Sequence, residues 1–196
     1  MRKVSVFNNV TLDGVMQAPA DKNEDTRGGF TRGGWAMPYD DAVKGQVAGE
    51  GMAKGGELLF GRRTYEHFYK AWHGRTDDNP FTEVLDNTQK YVTSNTLKEP
   101  LEWENSTLLR GDVADAVAQL RKSPGSDLTI LGSGELIKAL MRRHLIDELI
   151  LLIHPIALGA GHRLFPDDGT FTKFRLARSL PTTTGVVIAT YQLAET

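Results

Sequence analysis

The chain is 196 residues long, carries a formal net charge of -2 and contains no cysteine. That length fits one domain with a full core. The near-neutral balance leaves no electrostatic footprint for nucleic acid, and the missing thiols exclude a disulfide scaffold, a thiolate metal site, an iron-sulfur cluster and thiol catalysis.

Residues 4–7 are β-branched and aromatic, which predicts a strand through the middle of a sheet, ended by Asn8 and Asn9. This apolar run is far short of a signal peptide or membrane span, so a cytoplasmic protein without a membrane partner is expected. The segment from residue 11 to residue 38 is rich in Gly, Asp, Asn and Thr and too long for a plain connector. Loops of that kind usually cover a site. Asp40 and Asp41 stand where a helix start wants acceptors and negative charge, ahead of Val43, Val47, Ala48 and Met52 at helical spacing. Gly45, Gly49 and Gly51 weaken that helix.

Residues 57–60 read as a short buried strand stopping at Gly61, with a helix behind it over 63–69. Residues 91–93 and 107–109 are further strands, and Asp112 caps a helix whose Val113, Ala116, Val117 and Leu120 form one apolar face. A strand over 128–131 runs into Gly132-Ser133-Gly134, after which Leu136, Ile137, Leu140 and Met141 mark the buried side of another helix. Residues 149–153 form a nearly all-apolar strand, and 171–177 and 186–193 alternate like a hairpin joined through Pro181 and Gly185. Asp77-Asp78-Asn79-Pro80 and Pro166-Asp167-Asp168-Gly169 read as turns. Strands alternating with helices predict an α/β fold with a mostly parallel sheet, and the closing hairpin adds an antiparallel edge. No internal repeat or linker divides the chain into domains.

Three motifs carry chemistry. In Phe60-Gly61-Arg62-Arg63-Thr64-Tyr65-Glu66, a glycine at a strand end meets two cations and a hydroxyl at a helix start, which suits a phosphate. An ordinary turn with solvated arginines and Tyr65 packed inside fits the same residues. Leu131-Gly132-Ser133-Gly134-Glu135-Leu136 is a second strand-to-helix turn where a pyrophosphate can approach the backbone, or a tight connection and nothing more. It is not a Rossmann fingerprint, since Ile137 stands at the third glycine, and Ser133 lacks a nucleophile elbow. In Trp35-Ala36-Met37-Pro38-Tyr39-Asp40, an acid follows an apolar aromatic segment; half-buried in a cleft it keeps its proton to higher pH, and otherwise it is simply a helix cap. His67, His73, His144, His154 and His162 show no metal spacing and read as surface or packing residues, so no metal is expected.

In this order, Thr11-Leu12-Asp13-Gly14, the Gly61 to Glu66 motif, Val92-Thr93-Ser94, Leu131-Gly132-Ser133-Gly134, Ile146-Asp147-Glu148-Leu149 and Gly159-Ala160-Gly161-His162-Arg163-Leu164-Phe165 resemble the dihydrofolate-reductase-like superfamily. Within it, the chain is similar to stand-alone relatives of the riboflavin-biosynthesis reductase domain, the C-terminal domain of the bacterial deaminase-reductase. The resemblance covers essentially the whole chain and implies a three-layer fold with helices on both faces of the sheet. It implies that Gly61, Arg62, Arg63 and Thr64, with Leu131, Gly132, Ser133, Gly134, Glu135 and Leu136, hold a dinucleotide. Thr93 and Ser94 would lie beside its adenosine end, and Asn9, Asp13, Gly14 and Met16 by the nicotinamide. Trp35, Pro38 and Asp40 match the Trp, Pro and acid that face the pterin in dihydrofolate reductases, which makes them substrate contacts and Asp40 the catalytic acid.

Departures accompany the match. Ser133 replaces the second of two glycines that dihydrofolate reductases join by a cis bond, and Glu135 stands where they often place a cation. NADPH is the implied cofactor, with NADH left open. The loop over 17–34 is longer than in dihydrofolate reductase and leaves the heterocycle undefined. The implied activity is hydride transfer to a C=N or C=O of a pterin-like or ribosylaminopyrimidine-like substrate, whose phosphate or carboxylate Arg27, Arg32 or Arg163 would meet. A true dihydrofolate reductase and a non-catalytic nucleotide-binding module are the alternatives, and a homodimer is a further implication.

Overall fold

A computed structural model describes residues 1–77 and 79–194. Asp78, in one of the two expected turns, lies outside the described residues. Eight strands form one sheet: β1 (Val4–Thr11), β2 (Glu57–Gly61), β3 (Lys90–Thr93), β4 (Ser106–Leu109), β5 (Leu128–Leu131), β6 (Glu148–His154), β7 (Phe174–Pro181) and β8 (Val187–Leu193). Their spatial order is β4-β3-β2-β5-β1-β6-β8-β7. β1 to β6 run parallel, and β8 and β7 add an antiparallel edge. β1 lies between β5 and β6, as its buried Val4, Val6 and Val10 require.

The helices are α1 (Ala42–Ala53), α2 (Arg62–Trp72), α3 (Pro80–Asn87), α4 (Val113–Leu120) and α5 (Gly134–Met141). Alternation along β2 sorts them into layers. Leu59 points to one face, where α4 and α5 bury Val117, Ile137 and Leu140 against Val6 and Ile130. Leu58 and Phe60 point to the other, where α2 and α3 contribute Tyr65 and Leu85. On that second face α1 lays Val43 and Val47 against Phe7, Leu152 and Ile188. No helix follows β6 among the described residues, and on the first face Leu149, Leu151 and Ile153 of β6 and Tyr191 of β8 line a cleft with Phe165.

Two expectations are corrected. Asn8 and Asn9 do not end β1, which runs on to Thr11 because both side chains find partners across the sheet. Asn79-Pro80 is a helix start rather than a free turn: Asn79 Oδ1 accepts from Phe81 N at 3.0 Å, and Pro80 takes the first helical position, where its missing N–H costs nothing. The end of α3 is closed by fully buried Lys90, whose ammonium donates to the Leu85, Asp86 and Thr88 carbonyls and lies 4.6 Å from the Trp103 ring centre. Burial pushes the Lys90 ammonium down to about 8.

Candidate active site

All six parallel strands end on one edge of the sheet, and the turns after β2 and β5 meet there. The Ser133 hydroxyl accepts from Gly61 N at 3.1 Å, and Thr64 Oγ1 accepts from Ser133 N at 3.0 Å. Asn8 completes the knot, accepting from Gly132 N at 2.7 Å and donating to Gly132 O at 3.0 Å. The Gly132–Ser133 peptide is trans; the chain turns through two successive left-handed residues instead, Gly132 at φ 60° and Ser133 at φ 56°. A Cβ on Gly132 would lie 2.9 Å from the Thr64 methyl, and one on Gly134 would lie 2.8 Å from Met16 Sδ. Gly132, at positive φ and against a β-branched methyl, needs glycine, whereas at Gly134 the flexible Met16 side chain would have to move.

Helix capping separates this corner from the rest of the molecule. α1, α3 and α4 begin with side-chain caps from Asp41, Asn79 and Asp112. α2 and α5 begin at Gly61 and Ser133 with none, so the unpaired first-turn amides of both helices stay free for an acceptor from outside. Arg63, beside them, is exposed and makes no ion pair among the described residues, whereas Arg62 is tied to Glu66 at 3.2 Å. Thr93 donates to Phe60 O at 3.2 Å, and the Ser94 hydroxyl accepts from Thr96 N and Leu97 N, so both stand at the neighbouring strand end in structural roles. The Glu135 side chain is 71% exposed, pairs with Lys138 and helps hold the charge on Arg27 of the long loop.

That loop is packed rather than open. Val15, Ala18, Phe30, Trp35 and Ala36 bury one another together with Ile156 and Leu158. Gln17 is its organiser: its amide donates to the Asp25 and Arg27 carbonyls and accepts from His162 N, while its own carbonyl accepts from Trp35 Nε1 at 2.7 Å. Asp13 accepts from Thr11 Oγ1, Leu158 N and Gly159 N, which hold its carboxyl down at about 2 and commit it to anchoring the loop. Gly14 forms the turn at φ 81°, and Met16 follows it onto the α5 start.

Of the three expected substrate contacts, only Trp35 lies inward. A 3-10 turn over Met37–Tyr39 leaves Pro38 exposed and rotates Tyr39 in its place toward the sheet. Asp40 is corrected on both expected counts. Its side chain is 89% exposed, 3.9 Å from Lys44, and the helix cap is Asp41, which accepts from Val43 N and is locked by Thr183 of the β7–β8 turn. It is neither a half-buried acid nor the cap.

The floor under Trp35 and Tyr39 is His154, one of the histidines whose spacing reads as surface or packing. It is fully buried, with the Trp35 and Tyr39 rings edge-on at 5.1 and 5.4 Å. Its Nε2 lies 2.9 Å from Asn9 Oδ1, and its Nδ1 is buried without a partner. Burial, helped by the Lys44 charge, pushes the imidazole down to about 4, so it is neutral near pH 7. No three His, Asp or Glu side chains converge as metal ligands among the described residues, and none of their helices is long and apolar enough to cross a membrane.

A mostly parallel sheet flanked by helices, with paired glycine turns at its carboxyl edge, defines a dihydrofolate-reductase-like α/β protein. The RibD C-terminal domain family matches residues 2–188, and the chain belongs to that reductase-like family. Protein YyaP of Bacillus subtilis (strain 168) is 29% identical over 140 residues, 68% of this chain and 72% of YyaP. A pyrimidine reductase-like protein from Corynebacterium diphtheriae aligns with TM-score 0.64 at 11% identity, covering 100% of this chain and 93% of that one. Dihydrofolate reductase from Enterococcus faecalis, solved with NADP(H), aligns with TM-score 0.60 at 15% identity over 98% of this chain and 97% of its own. Both structures share the fold.

Proposed function

We propose that this chain is a reductase that binds NADPH across the turns after β2 and β5 and reduces a C=N or C=O of a pterin-like or ribosylaminopyrimidine-like heterocycle. The observation that carries the reading is the pair of uncapped helix starts, α2 and α5, cross-tied by Thr64 and Ser133. Two bare amide rows, an exposed Arg63 with no ion pair among the described residues, and Gly132, whose left-handed backbone disfavours a Cβ, make a cradle suited to a pyrophosphate.

When bound, the reduced nicotinamide supplies the hydride. The chain's own groups bind and orient: Gly61 to Thr64 and Gly132 to Leu136 receive the phosphates, Met16 packs at the α5 start, and the loop core around Trp35 excludes water. With Asp40 facing solvent, the proton comes from water. Exposed Glu135 repels a phosphate on the adenosine ribose, so NADH is accepted as well and Glu135→Lys favours NADPH. The first sheet face at β6 to β8, where Leu12 and Phe165 are exposed at a cleft of about 530 Å³ and Leu176 is exposed on β7, is our choice for self-association; sedimentation tests it.

The test of function is loss of reduced-cofactor absorbance with 5-amino-6-(5-phosphoribosylamino)uracil or dihydrofolate as acceptor. Methotrexate-sensitive turnover of dihydrofolate would make this a dihydrofolate reductase, and cofactor binding without turnover a nucleotide-binding module. Failure to bind NADPH removes the reading.

A further inference from the structure

Asn8 and Asn9 are adjacent in β1 and therefore point to opposite faces of the sheet. Asn8 is spent on Gly132. Asn9 is different: its Oδ1 faces His154 Nε2 at 2.9 Å, while its Nδ2 has no hydrogen-bond partner among the described residues and is absent from the atoms sealed off from solvent. An amide with one end anchored and the other open is an oriented donor.

The anchor decides which end is open. His154 is fully buried, enclosed by Trp35 and Tyr39, with the Lys44 ammonium the charge that acts on it from α1. A neutral imidazole has one N–H. With that N–H on Nε2, it can be satisfied only by an oxygen, which fixes Asn9 with Oδ1 inward and Nδ2 outward and leaves the partnerless Nδ1 as a lone pair rather than a stranded N–H. If Asn9 were turned round, its Nδ2 would meet Nε2, the proton would move to Nδ1, and a buried N–H would be stranded instead.

We propose that Asn9 is the specificity-determining donor of the site, giving its Nδ2 hydrogens to a carbonyl oxygen on a planar ring, and that His154 is the positioning residue that fixes this polarity. The inference rests on the reductase reading above and adds the recognised group. Two ring systems bring such an oxygen to this floor, the nicotinamide carboxamide and a ring carbonyl of the heterocycle to be reduced. A thymine-like or uracil-like edge suits the donor; a ring that offers only N–H groups there does not.

Full-length wild type, Asn9→Leu, Asn9→Asp, His154→Leu and His154→Gln separate the cases. In one arm, binding of NADPH and of its thionicotinamide analogue is followed by quenching of protein fluorescence; in the other, 5-amino-6-(5-phosphoribosylamino)uracil is reduced at saturating NADPH. If Asn9 reads the carboxamide, Asn9→Leu weakens NADPH about tenfold and erases the difference between NADPH and the analogue. If it reads the substrate, KM rises about tenfold with kcat within roughly twofold, and NADPH binding holds. Asn9→Asp loses more than Asn9→Leu in the same arm, since its carboxylate repels the carbonyl. His154→Leu follows Asn9→Leu, whereas His154→Gln, which keeps an N–H for Oδ1, recovers most of the loss.

Wild type that binds NADPH while both arms stay unchanged by Asn9→Leu overturns the proposal and leaves the reductase reading standing. Wild type that binds NADPH but turns over no uracil derivative is judged on the cofactor arm alone. Wild type that binds no NADPH overturns both. Imidazole nitrogen-15 shifts of the wild type provide a readout that does not depend on any variant's folding: a proton on Nε2 with bare Nδ1 from about pH 5 to 8 supports the proposal, and the opposite tautomer sinks it.

Discussion

The two sides of this site are built on opposite plans. On the side proposed for the dinucleotide, two short turns are knotted by Thr64, Ser133 and Asn8, and the knot leaves backbone amides bare. On the side proposed for the substrate, a long segment spends its side chains on its own core, its own hydrogen bonds and a buried histidine floor. In the proposed reading the first side recognises with backbone, which every dinucleotide meets in the same way, and the second by shape and by the few polar atoms left over.

The largest effect expected is on the substrate side and comes from pH. His154 has its folded value near 4 against an ordinary 6.5, so the unfolded chain binds the extra proton between those values. Its contribution to stability is complete above about pH 6.5 and falls as pH drops toward 4, by about 3 kcal/mol in all. Asp13 and Asp168, held at about 2 against an ordinary 3.8, lose stability in the same direction but mostly below that window, as pH falls from about 4 toward 2. Urea unfolding at neutral and mildly acidic pH measures the loss, and His154→Gln should flatten it; an equal loss in that variant would assign the effect elsewhere.

Two glycine substitutions should break the sides apart. Gly161 sits at φ 115°, and a Cβ there would lie 2.8 Å from both Phe30 and Val15. Gly161→Val should unseat the loop core, at a cost of about 2–4 kcal/mol, open residues 17–34 to proteolysis and abolish turnover while NADPH still binds. Gly132→Ala, strained at φ 60° and crowded by the Thr64 methyl, should cost about 2 kcal/mol and weaken NADPH by more than about tenfold, with the loop as protease-resistant as before. Loss of both functions in both variants would mean that the two sides fold as one unit.

The same contrast governs what is legible in the sequence. Apolar runs announce the parallel strands and glycine-ended turns announce the corner where the ends of β2 and β5 meet, because both are local patterns. The continuation of β1 through Asn8 and Asn9 is hidden, since their partners, Gly132 and His154, are 124 and 145 residues away. His154 carries no local mark for the same reason. α3 is hidden because a helix start of Asn79-Pro80 is spelled like a turn. Where two acids stand side by side, only a tertiary contact, Thr183 on Asp41, decides which one caps the helix.

The smallest effect concerns the acid singled out by resemblance. Asp40 lies on that same long segment, but its side chain is 89% exposed, and its ion pair to Lys44 spans 3.9 Å. Exposed pairs of that kind contribute about 0–1 kcal/mol. Asp40→Asn should therefore leave the melting temperature and the shape of the pH–rate profile nearly unchanged, with kcat/KM within roughly twofold of wild type. Asp41→Asn is the control: it weakens a cap that also accepts from Thr183 and should lower stability measurably while Asp40→Asn does not. A collapse of turnover in Asp40→Asn with unchanged melting would instead mean that the Met37–Tyr39 turn swings inward when substrate binds, and that the substrate side is assembled by its ligand rather than packed in advance.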